Sequence, residues 1–416
     1  MVIKLNNEQE SAYKYICDGF NVFITGGGGV GKSALLNYYI KLNKKKKFEL
    51  AVTSTTGTSA TLINGTTLHS YLGLGLGKKS IDATCEKIIS NKYLKRKWDK
   101  LSILIIDEIS MLSADFFDKL ENVSRIVRKS NAPFGGIQLI LSGDFCQLSP
   151  IDSKNFCFEA KSWSNCINKI IYLTKIIRQE NILFQNCLSS IRLGTITDNT
   201  ENLISSRINI KLENDYGIEP TKLFSTNNLV DSINTNYLNK LCQKNKKFSY
   251  KLDTTFDEKL KNIYKKCISV SEIVELCIGC QVMLTYNLDI ENKLINGSRG
   301  VVTNFTFKDG IFIPKVKFLN GIEIDVNFNV WEIEKDDEII GTFTQIPLKL
   351  AYALSIHKSQ GCSLDYAIVD LSNLFDYGMG YVALSRIRNL EGLSIIAINW
   401  NKIKCNPKAF NFYNNL

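Results

Sequence analysis

The sequence predicts an α/β fold with two parallel-sheet domains and a small antiparallel barrel inserted in the second one. Short apolar runs recur early in the chain with helical segments between them, which is typical of buried parallel strands. The same pattern resumes at Leu223 and returns near the C-terminus in YALSIH and AIVDLS, which indicates a second parallel sheet. Residues 277–345 instead alternate apolar and polar positions between Gly-containing turns, as antiparallel strands do.

The boundaries of the predicted domains follow from these patterns. The strands expected in the first domain are Val22 to Thr25, Phe48 to Thr53, Ile103 to Ile106, Leu139 to Leu141 and Ile170 to Leu173. We assign residues 1–178 to the first domain, with a small insertion near 64–80. Residues 179–276 and 346–416 form the predicted second domain, and residues 277–345 form the inserted barrel.

Length and composition restrict the class of protein. The chain has 416 residues, enough for two or three domains of about 150 residues each. Because no run approaches the ~20 apolar residues of a membrane span and the start lacks a signal sequence, we expect an intracellular protein without a membrane partner. Twelve scattered cysteines, with Cys277 and Cys280 as the one C-x-x-C pair, indicate reduced thiols. The net charge of +10 suits a polyanionic partner.

A glycine-rich segment, GGGGVGKS, carries the strongest local signal. It fits the pattern G-x-x-x-x-G-K-S and lies between a predicted strand and a predicted helix. Glycines allow backbone N–H groups to surround phosphates, while the lysine neutralises the β and γ phosphates and the serine hydroxyl ligates Mg²⁺. A glycine-rich turn without a ligand is the alternative. We predict that ATP and Mg²⁺ bind at Gly26, Gly27, Gly28, Gly29, Val30, Gly31, Lys32, Ser33 and Ala34.

Acidic and amide side chains follow two further predicted strands. In LSILIIDEIS, four apolar residues end in Asp107 and Glu108, at the strand edge where ligands of open α/β sheets bind. We expect Asp107 to hold Mg²⁺ and Glu108 to orient and deprotonate the attacking water. In LSGDFCQLSP, Gln147 is a candidate sensor of the γ phosphate. Without the glycine-rich loop, an acidic strand-to-helix turn would be the simpler interpretation.

Two arginines and two histidines are further candidates. Arg178 and Arg386 are potential arginine fingers, which stabilise charge during phosphoryl transfer. His69 lies in GTTLHSY and His357 in SIHKSQG, among polar groups that suit phosphate and sugar contacts. A surface arginine and a buried core histidine are the alternative interpretations.

Taken in order, these motifs resemble those of the Pif (petite integration frequency) DNA helicases of helicase superfamily one. The match runs nearly from end to end, through LNNEQ, AVTSTTGTSATLINGTTLHSYLGLG, DEIS, GDFCQLSP, LTKIIRQ, GCQVMLTYNLDIENKLINGSRGVV, LAYALSIHKSQGCSLDYAIVDL and GYVALSRIRNLEGL. The segment DKLENVSRIVRKSNAPFGGIQLI is similar to the signature that separates this family from RecD-like motors. Mild departures are Ser149, where the family usually has proline, and the Gly29-Val30 pair, where Gly-Thr is common.

The resemblance implies a DNA motor with two RecA-like domains, an SH3-like barrel, ATP between the domains and travel from 5′ to 3′. It makes Gln9 the adenine contact and Arg386 the second arginine finger, and it makes the insertion near 64–80 face DNA. The DNA contacts expected from the matching motifs are Thr55, Thr56, Gly57, Thr67, His69, His357, Lys358 and Ser359. Expected partners are single-stranded, forked and structured DNA, including G-quadruplexes, in replication, recombination, repair or telomere maintenance. We expect a monomer in the nucleus, a mitochondrion or a viral replication site, while protein partners stay open.

Three other classes of function compete with this interpretation. A RecD-like or RNA-directed helicase would use the same scaffold, although the signature segment argues against the first of these. A nucleotide-gated single-strand-binding protein would have the fold without hydrolysis, but the intact Lys32, Asp107 and Glu108 argue against that. A signalling or packaging ATPase would lack the second domain that begins near Leu223.

Overall fold

The computed structural model describes residues 5–43, 49–75, 77, 79–150, 153–212, 218–258, 260–261, 265, 270–289, 292, 294–335 and 338–416. Its α-helices are α1 (Asn7–Cys17), α2 (Lys32–Leu42), α3 (Gly57–Leu62), α4 (Leu68–Tyr71), α5 (Ile81–Ser90), α6 (Lys92–Lys100), α7 (Ala114–Arg128), α8 (Trp163–Cys166), α9 (Ile182–Leu193), α10 (Asp198–Ser205), α11 (Asn227–Cys242), α12 (Met379–Ser385) and α13 (Pro407–Asn414). Its strands are β1 (Val22–Thr25), β2 (Leu50–Ser54), β3 (Thr66–Thr67), β4 (Ile103–Asp107), β5 (Gln138–Ser142), β6 (Lys169–Tyr172), β7 (Thr221–Phe224), β8 (Phe248–Lys251), β9 (Asp253–Thr254), β10 (Ile273–Leu276), β11 (Gln281–Leu284), β12 (Arg299–Lys308), β13 (Ile311–Phe318), β14 (Glu323–Asp325), β15 (Asn329–Lys335), β16 (Glu338–Gln345), β17 (Leu348–Leu350), β18 (Ala353–Ser355), β19 (Ala367–Leu371) and β20 (Leu393–Ile398).

The first compact unit contains a six-stranded parallel sheet in the order β3-β2-β4-β5-β1-β6. Every residue of β1 and β4 is buried, because helices cover both faces of such a sheet. All five predicted strands are present within one or two residues of their expected ends, although Phe48 lies outside the described residues. An aromatic cluster of Phe23, Phe145 and Trp163 fills the core on one side of the sheet.

The second compact unit combines a parallel and an antiparallel part. Strands β18, β7, β19 and β20 form a four-stranded parallel sheet in that order. The chain between β7 and β18 forms a five-stranded antiparallel sheet, β14-β13-β12-β11-β17, together with smaller antiparallel pairings. The predicted fold class, two parallel-sheet domains with an antiparallel insertion in the second, is therefore confirmed.

The compact units differ from the predicted domains at their edges. The first unit extends to Thr197 and also includes Asp376–Tyr381 and Ile403–Leu416, which the strand pattern assigned to the second domain. The reason is packing: α13 buries Ala409 in the core of the first unit. The antiparallel strands also begin before residue 277, since β8 pairs with β10. Among the helices described, none has the length and apolar content required to cross a membrane.

The part of the signature segment that follows α7 contains a turn with two glycines, and Arg128 at the end of α7 holds this turn in place. The guanidinium of Arg128 donates hydrogen bonds to the carbonyl oxygens of Gly135 (2.7 Å) and Leu101 (2.8 Å). Gly135 has φ +62°, and a Cβ there would lie 2.6 Å from the carbonyl oxygen of Ser124. Its neighbour Gly136 has φ +82°, but a Cβ there would meet nothing within 4 Å. The two glycines thus share a left-handed backbone and differ in the space around them.

We expect Gly135→Ala to destabilise the protein far more than Gly136→Ala does. Both substitutions carry the left-handed backbone cost of about 1–2 kcal/mol, but Gly135→Ala adds a clash with backbone atoms. Thermal unfolding of the two variants beside the parent would measure the difference. Equal losses of Tm would contradict the packing described for Gly135.

Candidate functional site

The glycine-rich loop between β1 and α2 is closely packed by neighbouring chain segments. Gly26 has φ +133°, and a Cβ at this position would lie 2.2 Å from the carbonyl oxygen of Leu173. Gly29 has φ +89°, and its Cβ would lie 2.6 Å from the Cβ of Arg178. Because backbone and fixed side-chain atoms occupy that space, only glycine fits at these two positions.

Lys32 begins α2 and points back into the loop. Its Nζ donates hydrogen bonds to the carbonyl oxygens of Gly26 (2.7 Å) and Gly27 (2.9 Å). Burial lowers the pKa of Lys32 below its ordinary value, while the nearby carboxylates of Asp144 and Glu108 oppose that shift. The loop thus holds a half-buried lysine whose hydrogen bonds go to loop carbonyls, in a position suited to a polyphosphate.

Ser33 and Asp107 bring a hydroxyl and a carboxylate together. The Ser33 Oγ donates to Asp107 Oδ2 at 3.5 Å, a long hydrogen bond, from the first turn of α2 to the end of β4. Burial raises the pKa of Asp107, and the charge of Lys32 opposes this rise only in part. Mg²⁺ uses one or two protein oxygens together with substrate phosphates. These two side chains fit that ion, and no group of three or more His, Cys, Asp or Glu side chains that could hold a metal occurs among the described residues.

Glu108 has a strained backbone that Thr55 supports. Its φ of 53° and ψ of 44° are left-handed, which costs a non-glycine residue about 1–2 kcal/mol. The Thr55 hydroxyl donates to the carbonyl oxygen of Glu108 at 2.8 Å, and the Thr55 N–H donates to the carbonyl oxygen of Asp107 at 3.2 Å. The predicted acidic pair is therefore tied to a residue predicted to contact DNA.

A buried ion pair, which no sequence pattern indicated, lies beside the loop. The Arg192 guanidinium donates to both carboxylate oxygens of Asp144, with Nη2 to Oδ1 at 2.8 Å and Nε to Oδ2 at 3.0 Å. Burial opposes ionisation of Asp144, but the charge and hydrogen bonds of Arg192 outweigh it, so the pKa of Asp144 lies below its ordinary value. Asp144 follows β5 in the same motif as Gln147, so its position after a strand could have marked it as a candidate site residue. Arg192 lies inside α9, where no sequence pattern distinguishes it from other helical residues.

Gln147 and Gln9 occupy different positions around the loop. The Gln147 Oε1 is buried and accepts no hydrogen bond from any residue that the structure describes. Gln9 caps α1 together with Asn6, and its Nε2 donates to the carbonyl oxygen of Gly31 at 3.3 Å. The predicted adenine contact thus directly adjoins the loop, while the Gln147 carbonyl oxygen is left for a ligand or a water.

The two arginine-finger candidates lie in different compact units. In the first unit, the Arg178 backbone N–H donates to the carbonyl oxygen of Gly29 at 3.2 Å. In the second unit, Arg386 is buried, and its guanidinium donates to the carbonyl oxygen of Val382 (3.0 Å) and to Ser385 Oγ (2.8 Å).

Two tyrosines far along the chain also reach this region of the first unit. The Gly28 N–H donates to the Tyr381 hydroxyl at 2.6 Å. The Tyr413 hydroxyl lies 2.6 Å from Thr25 Oγ1 and accepts a hydrogen bond from the Phe145 N–H at 3.0 Å. Tyr381 lies in the motif GYVALSRIRNLEGL, which was singled out for Arg386 and not for the tyrosine, and no local pattern marked Tyr413.

The predicted DNA contacts are divided between the units. In the first unit, His69 stacks on Phe116 with ring centroids 4.6 Å apart, and burial lowers its pKa. Thr56 shares a hydrogen bond with Ser59, while Gly57 begins α3 and Thr67 precedes α4.

In the second unit, the DNA candidates lie in one short turn. Lys358 is exposed, and the His357 ring stacks on that of Phe375, with centroids 5.9 Å apart. Ser359 is buried and its hydroxyl donates to the carbonyl oxygen of Ile356 at 2.8 Å, so this hydroxyl stabilises the turn itself.

We expect Arg192→Met to reduce the free energy of unfolding by about 3–5 kcal/mol at neutral pH, because it leaves the Asp144 carboxylate buried without its partner. Denaturant unfolding of the parent and the variant would measure this loss of stability. The matched control is Arg388→Met, which removes a 54% exposed arginine from its pair with the 43% exposed Asp365 and should cost below about 1 kcal/mol.

The pH dependence of this difference has a defined sign. In the parent, the depressed pKa of Asp144 contributes stability above its unfolded pKa of about 3.9, and this stability is lost as the pH falls through the lower folded pKa. In Arg192→Met, protonation of Asp144 removes the penalty of the unpaired charge. The gap between parent and variant should therefore narrow as the pH falls from 7 towards about 4. A gap independent of pH would contradict the pairing.

Comparisons with known proteins agree with this geometry. A family model described as PIF1-like helicase matches residues 4–202, and a model of the DNA helicase Pif1 2B domain matches residues 260–305. The ATP-dependent DNA helicase PIF1 of Xenopus laevis is 40% identical over 100% of this chain, which spans 65% of that relative's length.

Solved structures extend the likeness to both compact units. The crystal structure of Pif1 helicase from Candida albicans covers 99% of this chain and 99% of its own, at 35% identity and a TM-score of 0.87. That of Pif1 helicase from Bacteroides in complex with ADP-AlF3 and ssDNA covers 99% and 97%, at 31% identity and a TM-score of 0.71. The chain therefore belongs to the PIF1-like helicase family.

Proposed function

We propose that the chain is an ATP-dependent DNA helicase that moves from 5′ to 3′ along single-stranded DNA and unwinds forked or structured DNA, including G-quadruplexes. One observation carries the proposal: Lys32, Ser33, Asp107 and Glu108 meet at one edge of the parallel sheet in the first unit. The Bacteroides relative, crystallised with both ADP-AlF3 and ssDNA, supports a nucleotide-driven motor on a single strand.

In this proposal the loop N–H groups and Lys32 hold the β and γ phosphates of ATP, and Gln9 and Ala34 complete the nucleotide site. Ser33 and Asp107 would hold Mg²⁺, which when bound neutralises phosphate charge. The burial of Asp107, which raises the pKa of its carboxyl group, supports this role, because a nearby cation stabilises the ionised form of a buried carboxylate.

Glu108 would direct the attacking water, and Gln147 would sense the γ phosphate. The Glu108 carboxylate accepts the proton of that water, and the Gln147 side chain forms a hydrogen bond to the γ phosphate, while its buried Oε1 is left to accept from a water. Arg178 and Arg386 would supply positive charge to the γ phosphate as it is transferred. Contacts from these arginines increase the rate of hydrolysis most when they are stronger in the transition state than in the bound ground state.

For DNA we propose phosphate and sugar contacts from Thr55, Thr56, Gly57, Thr67 and His69 in the first unit. The segment 357–359 in the second unit would supply further contacts, in which the exposed Lys358 ammonium binds phosphate and Ser359 contributes its backbone. We further propose that the protein acts as a monomer at sites of replication, recombination, repair or telomere maintenance, whether nuclear, mitochondrial or viral.

We expect ATP hydrolysis to be stimulated by single-stranded DNA in the parent and to be abolished in Lys32→Ala and Glu108→Gln. Steady-state turnover with and without DNA, followed by unwinding of duplexes with a 5′ or a 3′ tail, measures activity and direction. RNA strands of the same sequence serve as the comparison. Turnover in Glu108→Gln within a few-fold of the parent would remove the proposed role of Glu108, and unwinding only from 3′ tails would reverse the direction.

We expect Thr55→Val to lower DNA-stimulated turnover more than turnover without DNA. The substitution removes the hydroxyl that donates to the Glu108 carbonyl oxygen and leaves the size of the side chain almost unchanged. Loss of one such hydrogen bond, at about 1 kcal/mol, corresponds to several-fold in rate. The ratio of the two turnover rates is the measurement. An unchanged ratio in Thr55→Val would show that this hydrogen bond does not couple DNA to hydrolysis.

A further inference from the structure

Two side chains, those of Lys32 and Tyr381, form hydrogen bonds with backbone groups of the phosphate loop. Lys32 Nζ donates to the carbonyl oxygens of Gly26 and Gly27, and the Tyr381 hydroxyl accepts the N–H of Gly28 at 2.6 Å. Nothing in the proposed chemistry uses a tyrosine at this position. Yet a backbone N–H in a loop of this kind is a donor that a phosphate oxygen would otherwise take.

Tyr381 is held firmly against the loop. The residue is buried, and a Cβ added to Gly27 would lie 3.1 Å from its hydroxyl oxygen. Gly378, three residues earlier, packs so closely that its Cβ would lie 2.4 Å from the carbonyl oxygen of Gln147. The segment that carries Tyr381 therefore contacts both the phosphate loop and the motif of the proposed γ-phosphate sensor.

We propose that the Tyr381 hydroxyl competes with the phosphates of a nucleotide for the Gly28 N–H, so that phosphate binding requires Tyr381 to give up this hydrogen bond. This inference rests on the proposed function, because it takes the loop to be the ATP site. A charged phosphate oxygen is a stronger acceptor than a neutral phenol, so the exchange favours the ligand. Tyr381 lies in α12, and Arg386 follows that helix directly, so the exchange changes a contact at the start of the segment that carries a proposed arginine finger.

Tyr381→Phe tests this exchange with almost no change of shape. Without the hydroxyl, the nucleotide-free loop leaves the Gly28 N–H unsatisfied, so phosphate binding no longer competes with an internal bond. We expect Tyr381→Phe to bind ADP and a non-hydrolysable ATP analogue roughly three- to tenfold more tightly than the parent. Affinity for AMP, which lacks the β and γ phosphates, should stay unchanged. The matched control is Tyr377→Phe, which alters a partly exposed tyrosine of the same segment and should change none of these affinities.

Titration of fluorescent nucleotides, with the thermal shift that each nucleotide produces, gives two independent readouts. A merely structural role for Tyr381 predicts a lower Tm without tighter binding, or an equal change for ADP and AMP, and either result would overturn the proposal. Weaker binding of ADP would overturn it too, because the hydroxyl would then be a ligand contact. A parent that binds no nucleotide would overturn both this inference and the proposed function, whereas normal binding without tightening in Tyr381→Phe overturns the inference alone.

Discussion

Close packing of backbone atoms around the phosphate loop is the constraint on which the arrangement of the first unit depends. A Cβ at Gly26 would lie 2.2 Å from the carbonyl oxygen of Leu173, and one at Gly31 would lie 2.6 Å from Gln9 Nε2. These neighbours come from the start of the chain and from the segment after β6. The path of the loop therefore depends on the positions of both α1 and the segment after β6 beside β1.

Burial gives the charged groups beside this loop different properties. Asp144 has a full partner in Arg192, and its pKa falls below the ordinary value. Asp107 accepts a long hydrogen bond from Ser33, but its hydrogen bonds and the charge of Lys32 do not offset the burial of its carboxylate, and its pKa rises. In a medium of low dielectric constant an uncompensated carboxylate is costly, and a cation relieves that cost. Asp144 is thus suited to a structural role, and Asp107 to a metal ligand, although both are buried aspartates at the ends of neighbouring strands.

The parts of the site that lie in short continuous segments could be predicted from the sequence. Strand β1, the glycines after it and the Asp107–Glu108 pair lie in short continuous segments whose pattern follows from their chemistry. The Asp144–Arg192 pair joins β5 to α9, and Tyr381 reaches Gly28 from the far end of the chain. Contacts of this kind depend on which helix packs against which strand, and no short-range pattern encodes that.

The compact units divide the chain near its C-terminus at other residues than the predicted domains, and the difference has a similar physical reason. The strand pattern near the C-terminus is that of the second sheet, and β19 and β20 do pair with it. The segment 403–416 continues from the same stretch but contributes Ala409 to the core of the first unit. A chain that returns to an earlier domain keeps an ordinary amphipathic pattern, so the sequence shows that its helix needs an apolar surface without showing which one.

Two distant segments of the first unit contact the backbone of residues proposed to act in hydrolysis, one at the Asp107–Glu108 pair and one at Gln147. The left-handed conformation of Glu108 costs about 1–2 kcal/mol, and a conformation of that cost persists only where its surroundings enforce it. Thr55 does so from the segment proposed to hold DNA, through hydrogen bonds to the carbonyl oxygens of both acidic residues. Gly378, in the segment that carries Tyr381, packs closely against the carbonyl oxygen of Gln147 without a hydrogen bond to it. Because both contacts are made to main-chain oxygens, a small displacement at either one would reorient the side chain of Glu108 or Gln147, to which we assign roles in hydrolysis.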